Sequence, residues 1–434
     1  MYEYEKEKKM KEKLFSRNFT MLVLGQISSL FGNFILKFAL SMYVLEKTGS
    51  AAVFAGIMAL AAVPAVVLSP FGGILADRVS RRNIMVGLDL LSGIAVLATA
   101  LLFRSSAMHQ TDIALIGGLL VVLSVLGAFE SPTVQACVPQ MQTGDNIIKG
   151  NAVVNQVSAA ASLIAPVLGS VFYTAAGIGP VIFLTMLCFF LTAGLECLIR
   201  LEHDRPAKKE KIGAIVKNDF KESIHFIGKE QPDILKMLFL ATAMNFLVAG
   251  AVIVGLPFIV RNILGMSAGM YGIAESLMGF AAILGGMAAS WLAGKKEAKL
   301  SARANKLSGG IAPVGLCFLL AGAAFLLPLG GIAKYTVNLI GFCGIQISAS
   351  VFSIFALSYI QQKTPNHLAG KVMAYAMAIS MCAQPLSQAL YGILFDRFEQ
   401  SVYWILAAAG IAVLAIARYS PGVLPMNSLN CLEK

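Results

Sequence analysis

Apolar runs of 17 to 27 residues, separated by short polar turns, recur along the whole chain. Each is close to the roughly 20 residues an α-helix needs to cross about 30 Å of hydrocarbon. The pattern therefore predicts twelve membrane spans, at 19–45, 51–72, 83–103, 113–134, 153–175, 179–200, 235–258, 269–292, 307–328, 335–358, 368–393 and 402–418. Barrel strands would run about ten residues with strict alternation, and no such runs occur. The expected fold is an all-α integral membrane protein with twelve transmembrane helices in two six-helix bundles.

One polar segment is much longer than the rest and divides the spans six and six. The expected organisation is a cytoplasmic tail (1–18), a bundle (19–200), a cytoplasmic linker (201–234), a second bundle (235–420) and a C-terminal tail (421–434). Phe220, Ile224 and Ile227 recur at helical spacing in the linker, which suggests an amphipathic helix against the inner leaflet. The halves echo one another faintly: GGILAD at 72–77 returns as GGMAAS at 285–290, and a basic stretch follows each. Duplicated halves of this kind mark secondary transporters that bind substrate near the midplane.

Composition sharpens this picture. Only 13% of the 434 residues are charged, 57% are hydrophobic, and the mean hydropathy is +0.76. These values exclude an ordinary soluble protein. A net charge of +11 is of the size seen in nucleic-acid-binding proteins, but its distribution gives another reason. With the N-terminus inside, 28 Lys and Arg fall on the cytoplasmic side, against five outside: Lys47, Arg104, Arg261, Lys334 and Arg397. This is the positive-inside asymmetry, and it places both termini in the cytoplasm. The charged opening MYEYEKEKKMKEKL lacks the apolar core and cleavage site of a signal peptide, so no processing is expected. Six of the seven cysteines lie in or beside spans, and none forms a Cys-x-x-Cys pair. They read as small core residues.

Polar residues inside the spans form stripes. Gln26, Ser29, Asn33, Lys37 and Ser41 share one face of the first span. Asn151, Asn155, Ser158 and Ser162 follow on the fifth, Gln346, Ser350 and Ser353 on the tenth, and Ser380, Gln384, Gln388 and Tyr391 on the eleventh. Such stripes either line a polar cavity or join helices by hydrogen bonds. Their presence in both halves favours a shared substrate cavity, with Gln26, Ser29, Asn33, Lys37, Gln346, Ser350, Gln384 and Gln388 as its candidate lining.

A charge at bilayer depth costs about 2.5–3.5 kcal/mol on insertion scales and points to function. Lys37, Asp89, Glu130, Glu196 and Glu275 qualify. Glu196 and Glu130 lie near span ends and are able to reach the interface. Lys37 lies some 12 Å from its outer end, beyond easy snorkelling. Glu275 is open to two roles, counterion of Lys37 or proton carrier. The proton-coupling candidates are Glu130, Glu275 and Asp89.

Enzyme constellations are missing. His109, His203, His225 and His367 are scattered, so no metal site is expected. The pairs Gly228-Lys229, Gly294-Lys295 and Gly370-Lys371 lack the remaining elements of a phosphate-cradling loop. The drive is then an ion gradient, a proton gradient above all, or the substrate's own gradient, with no cofactor.

GGILADRVSRR, residues 72–82, packs Asp77, Arg78, Arg81 and Arg82 into six positions after the second span. Gly72, Gly73 and Ala76 allow close helix approach. An aspartate here can meet the free N–H groups of another helix N-terminus, with the arginines holding carboxylates. A simple positive-inside anchor explains the arginines but not Asp77.

The stretch resembles the G-x-L-A-D-R-x-G-R-R motif of the major facilitator superfamily, with Ser80 in place of the usual glycine. GAFESPTVQACVPQ, NAVVNQ at 151, YIQQKTPNHLAGKVMA and QPLSQALYGILFD are similar to the branch of macrolide, multidrug and siderophore exporters. APVLGS, with Pro166 and Gly169, resembles a weakened antiporter motif of the fifth helix. The resemblance implies alternating access of two bundles. In it Gly73, Asp77, Arg78, Arg81 and Arg82 form a gating motif, and Asp77 and Arg81 latch the cytoplasmic side against the start of span eleven. This sequence departs from proton-coupled drug antiporters in having Glu130 where an embedded arginine is common and Lys37 where an acid is common.

The expected function is a proton-coupled exporter of amphipathic small molecules or drugs in a bacterial inner membrane. It would work as a monomer among membrane lipids, bind a small-molecule substrate and have no nucleic-acid partner. The alternatives are a specific carrier of an anionic metabolite, siderophore or lysolipid, and, from another class, a membrane enzyme or receptor.

Overall fold

The computed structural model describes residues 14–103, 110–143, 146–201, 221–294, 300–365 and 368–423. Among these, twelve long helices follow in order. They are α1 (Arg17–Thr48), α2 (Ala51–Arg78), α3 (Arg81–Leu102), α4 (Gln110–Met141), α5 (Asn146–Ala176) and α6 (Ile178–Cys197). The second six are α7 (Pro232–Gly250), α8 (Ala268–Gly294), α9 (Leu300–Leu326), α10 (Gly331–Lys363), α11 (Ala369–Arg397) and α12 (Val402–Val423). Each coincides with one expected span, and several extend past the apolar window by a turn or two. Ten are long and apolar enough to cross a membrane, and Gly310–Leu326 adds a shorter apolar segment. The chain is therefore a multi-pass membrane protein.

Tight turns join the helices. Gly49, between α1 and α2, and Gly177, between α5 and α6, adopt φ of 63° and 77°. A side chain would strain the backbone there, so glycine stops each helix and reverses the chain. Proline has a different effect in α7. Pro257 cannot donate to the helical ladder, and π-type turns at Ala251–Gly255 and Ile259–Ile263 flank the short segment Leu256–Phe258, carrying the helix on to Ile263.

The chain divides into two compact units, one of residues 1–47 and 60–216, the other of 48–59 and 217–434. The first turns of α2 thus belong with the second unit. Their packing gives the reason: Gly392 of α11 is in such close contact that a Cβ on it would lie 2.4 Å from Ala55 Cβ and 3.0 Å from the Ala51 carbonyl.

In the first unit α3 packs on α4 and α6. α1 meets α6 through Gly25 and Gly32, where a Cβ on Gly32 would sit 2.9 Å from Cys188 Cβ. Thr192 and Thr185 hydroxyls donate to the Gly25 and Gly32 carbonyls, each at 3.2 Å. At the end bearing Arg17, an apolar cluster of Phe19, Met85, Cys137, Val138 and Ile199 closes the unit. In the second unit α9 packs on α10 and α12, α8 on α10, and α7 on α11.

The faint sequence echo has a physical basis. A Cβ on Gly72 would fall 2.6 Å from the Ala128 carbonyl of α4, and one on Gly285 would fall 2.7 Å from the Ile347 carbonyl of α10. Each unit thus crosses its second and fourth helices over a glycine at the same place in the repeat.

Of the linker, 202–220, including Phe220, lies outside the described residues. A short helical stretch precedes α7 and ends in a π-type turn, Phe226–Glu230. Phe226 and Ile227 are buried in the protein, whereas Ile224 is exposed. The described part of this stretch therefore turns its main apolar face to the protein instead of presenting it wholly to lipid. His109, His203 and His367 also fall outside the described residues.

Candidate functional site

The polar stripe of α1 turns into the first unit. Gln26, Ser29 and Ser41 are buried, Asn33 is half-buried, and Lys37 is exposed. The Ser29 hydroxyl lies 3.1 Å from Asp89 Oδ1 on α3 and 3.4 Å from Glu130 Oε1 on α4. A serine has one proton to donate, so Ser29 serves one of these carboxyls at a time and bridges the two. Gln26, one turn earlier on α1, stands next to Glu130.

Asp89 is 0% exposed, eight residues and about 12 Å into α3. Beside it lies a third carboxyl group, Glu196 of α6, also 0% exposed. Asp89 and Glu130, expected to carry protons, are thus brought into one cluster. Glu196, whose place near a span end allows it to reach the interface, is instead folded inward. The sequence signal that could have placed it is Gly25, where α6 approaches α1 so closely that a Cβ would lie 3.3 Å from Thr192 Cγ2, one turn from Glu196.

Glu275, the other carrier candidate, belongs to the second unit. It is half-buried on α8 beside the Tyr271 hydroxyl, one turn away on the same helix.

The motif at 72–82 is partly described. Gly73 and Asp77 fall in α2, and the surroundings of both lie outside the described residues. Arg78 is half-buried in the last turn of α2, where the helix dipole favours a cation. Arg81 donates to the Ala76 carbonyl at 3.0 Å and to Ala136 of α4 at 2.7 Å. Arg82 donates to the Cys197 carbonyl at the end of α6. The two arginines therefore tie the α2–α3 turn to the carbonyl ends of α4 and α6. A lysine, with a point charge and no planar fork, would not reproduce this.

In the second unit the stripe on α11 joins helices. Tyr391 donates to the Leu247 carbonyl of α7 at 2.7 Å, and neighbouring Ser387 donates to Phe246 and accepts from Gly250 N–H at 2.8 Å. Gln388 is buried with its Oε1 unmet, and Gln384 is half-buried. Gln346 and Ser350 are half-buried on α10, with Ser350 against Gly285. On α5, Pro166 is buried and Gly169 faces Phe38 of α1, where a Cβ would lie 3.1 Å from the ring.

One residue carries more than its spacing suggested. Asp396, at the end of α11, accepts from the Ser50 hydroxyl at 2.6 Å and from the backbone N–H groups of Ala51 at 2.6 Å and Ala52 at 3.1 Å. It caps the N-terminus of α2 from 345 residues away in sequence.

Among the described residues no group of three or more His, Cys, Asp or Glu is disposed to hold a metal ion.

The chain is similar to a curated protein in sequence and to solved transporters in fold. Macrolide efflux protein A of Streptococcus pyogenes is 22% identical over 409 residues, covering 94% of this chain and 96% of that protein. A peptide transporter solved with alafosfalin superposes with a TM-score of 0.72 at 15% identity, over 96% of this chain and 97% of that one. A bacterial homologue of the iron transporter ferroportin, in an inward-facing state, gives 0.69 at 14% identity, over 94% and 99%. The family model of the Major Facilitator Superfamily matches residues 22–387. This chain therefore belongs to the Major Facilitator Superfamily and is a membrane transporter, not an enzyme.

Proposed function

We propose that this transporter exports amphipathic small molecules in exchange for entering protons, moving substrate by alternating access of its two halves. The observation that carries the proton reading is the bridge from Asp89 through Ser29 to Glu130. Membrane-embedded carboxyl groups are costly to keep and serve as proton relays in pumps and transporters. The similarity to a macrolide efflux protein along nearly the full length of both chains supports efflux of bulky, amphipathic compounds. The charge asymmetry supports both termini in the cytoplasm of a bacterial plasma membrane. On this reading the motif around Asp77 and Arg81 latches the cytoplasmic side.

The decisive measurement uses purified protein in liposomes without ATP. An imposed pH gradient should drive a labelled macrolide against its concentration gradient, and an uncoupler should abolish the movement. Equal macrolide flux with and without the gradient would remove proton coupling.

A second reading is supported by Lys37. An exposed cation in a polar stripe favours substrates bearing carboxylate or phosphate groups. A panel of cationic, neutral and anionic compounds, scored by ligand-dependent thermal shifts, decides between the two.

A further inference from the structure

Asp89 and Glu196 lie against each other in the first unit, and both are fully buried. Asp89 Oδ1 has the Ser29 hydroxyl, but Asp89 Oδ2 and both Glu196 oxygens meet no donor. If both groups were ionised, three buried acceptors would go unfilled and two like charges would touch. Protein interiors do not hold that combination at rest, so it arises only in passing, until the pair takes up its next proton. A proton on one carboxyl supplies a donor to the other and removes one of the two charges, as in paired carboxylates elsewhere.

Gln26 provides an independent observation. Its amide is 5% exposed, its Nε2 is unfilled, and it stands beside Glu130. A buried amide beside Glu130 is a donor within the neighbourhood of that carboxyl, which the Asp89–Glu196 contact lacks. The unfilled oxygens place the bound proton at the Asp89–Glu196 end, and Glu130, reached through Ser29, is the group that can receive it.

Other titratable and charged groups face the cluster. From α4 come Glu130 and Cys137, the latter near Arg81. From α6 comes Cys197, whose carbonyl takes the Arg82 guanidinium. Arg81 gives donors to the Ala76 and Ala136 carbonyls.

We propose that Asp89 and Glu196 share one proton and that Ser29 relays it to Glu130. In the relay the Asp89 carboxyl gives its proton to Ser29 Oγ as the Ser29 O–H bond breaks toward Glu130. Asp89 is left as carboxylate, Ser29 is regenerated, and Glu130 is protonated. Use of this proton in transport rests on the function proposed above; the shared proton itself does not.

Infrared spectroscopy of the purified full-length protein at neutral pH tests the pair directly. Exposed carboxyls are ionised there, so a protonated-carboxyl band reports a buried proton. The wild type should show such a band, with slow deuterium exchange. Asp89→Asn and Glu196→Gln should each remove it, whereas Ser29→Ala should keep it but lose the pH-dependent part of transport. Absence of the band in the wild type overturns the pair, as does its survival in both single variants. A band that appears only when sodium is withheld would show that a metal cation holds the site, which also overturns the proposal. Intact pH dependence of transport in Ser29→Ala would overturn the relay. If the band behaves as expected while wild-type transport ignores the pH gradient, the shared proton stands and proton-driven export fails.

Discussion

Asp396→Asn is a direct test of how the second unit holds the start of α2. The carboxylate uses both oxygens: Oδ1 takes the Ala51 N–H, and Oδ2 takes the Ala52 N–H and the Ser50 hydroxyl. An asparagine keeps one acceptor oxygen and turns an NH2 group, which cannot accept, toward donors. At least one helix N–H loses its partner, and the full negative charge at the positive end of the helix dipole is lost as well. Loss of an N-cap costs about 0.5–2 kcal/mol. The charge contributes about 0.3–1 kcal/mol at an exposed helix end, and Asp396 is exposed, so the lower part of that range applies. A combined loss of about 1–2 kcal/mol corresponds to roughly 5–30-fold in a local opening equilibrium. Hydrogen exchange of the Ala51 and Ala52 amides, followed by mass spectrometry in detergent or nanodiscs, should accelerate by that factor in Asp396→Asn. Amides in the middle of α9 should not change. Unchanged exchange at Ala51 and Ala52 would show that the carboxylate does not hold the helix end, and the argument from geometry would fail.

Gly250→Ala should destabilise the protein by about 1–3 kcal/mol, because its Cβ would lie 2.5 Å from Ser387 Oγ and 2.6 Å from the Ser387 carbonyl; a wild-type thermal midpoint in detergent would contradict the tight α7–α11 crossing. Gly32→Ala should likewise lower the midpoint, since α6 leaves no room beside Cys188, and Cys188→Gly in the same chain should restore part of the loss. A double-variant midpoint no higher than that of Gly32→Ala alone would show that the two sites do not share the contact. Lys37→Ala should weaken binding of anionic compounds while leaving neutral ones unchanged, measured by thermal shifts across the panel. No change for any compound would remove Lys37 from the substrate site.

The division between what the sequence fixes and what folding decides follows from the range of the forces. Twelve helices and their approximate ends were legible because each apolar run satisfies a local condition: a segment must be long enough, and its backbone bonds must close internally, to sit in hydrocarbon. The positive-inside count and the six-plus-six division are also properties of the chain in order. The motif at 72–82 was legible as a motif, and Gly72 was readable as a close contact because nothing else explains a glycine pair inside an apolar helix.

Partnerships between helices are another matter. Glu196, one residue from the end of α6, has the spacing of an interfacial residue, and only the α1–α6 approach over Gly25 turns it into the cluster with Asp89. Tyr391 sits in a stripe with the periodicity of a cavity lining, yet its hydroxyl meets the Leu247 carbonyl of a helix more than 140 residues away. Asp396 reads as a charge at a span end until the fold brings it to the first turn of α2. Helical periodicity gives the face on which a side chain stands. What that face meets depends on which helix packs there, and that is settled by tertiary structure alone.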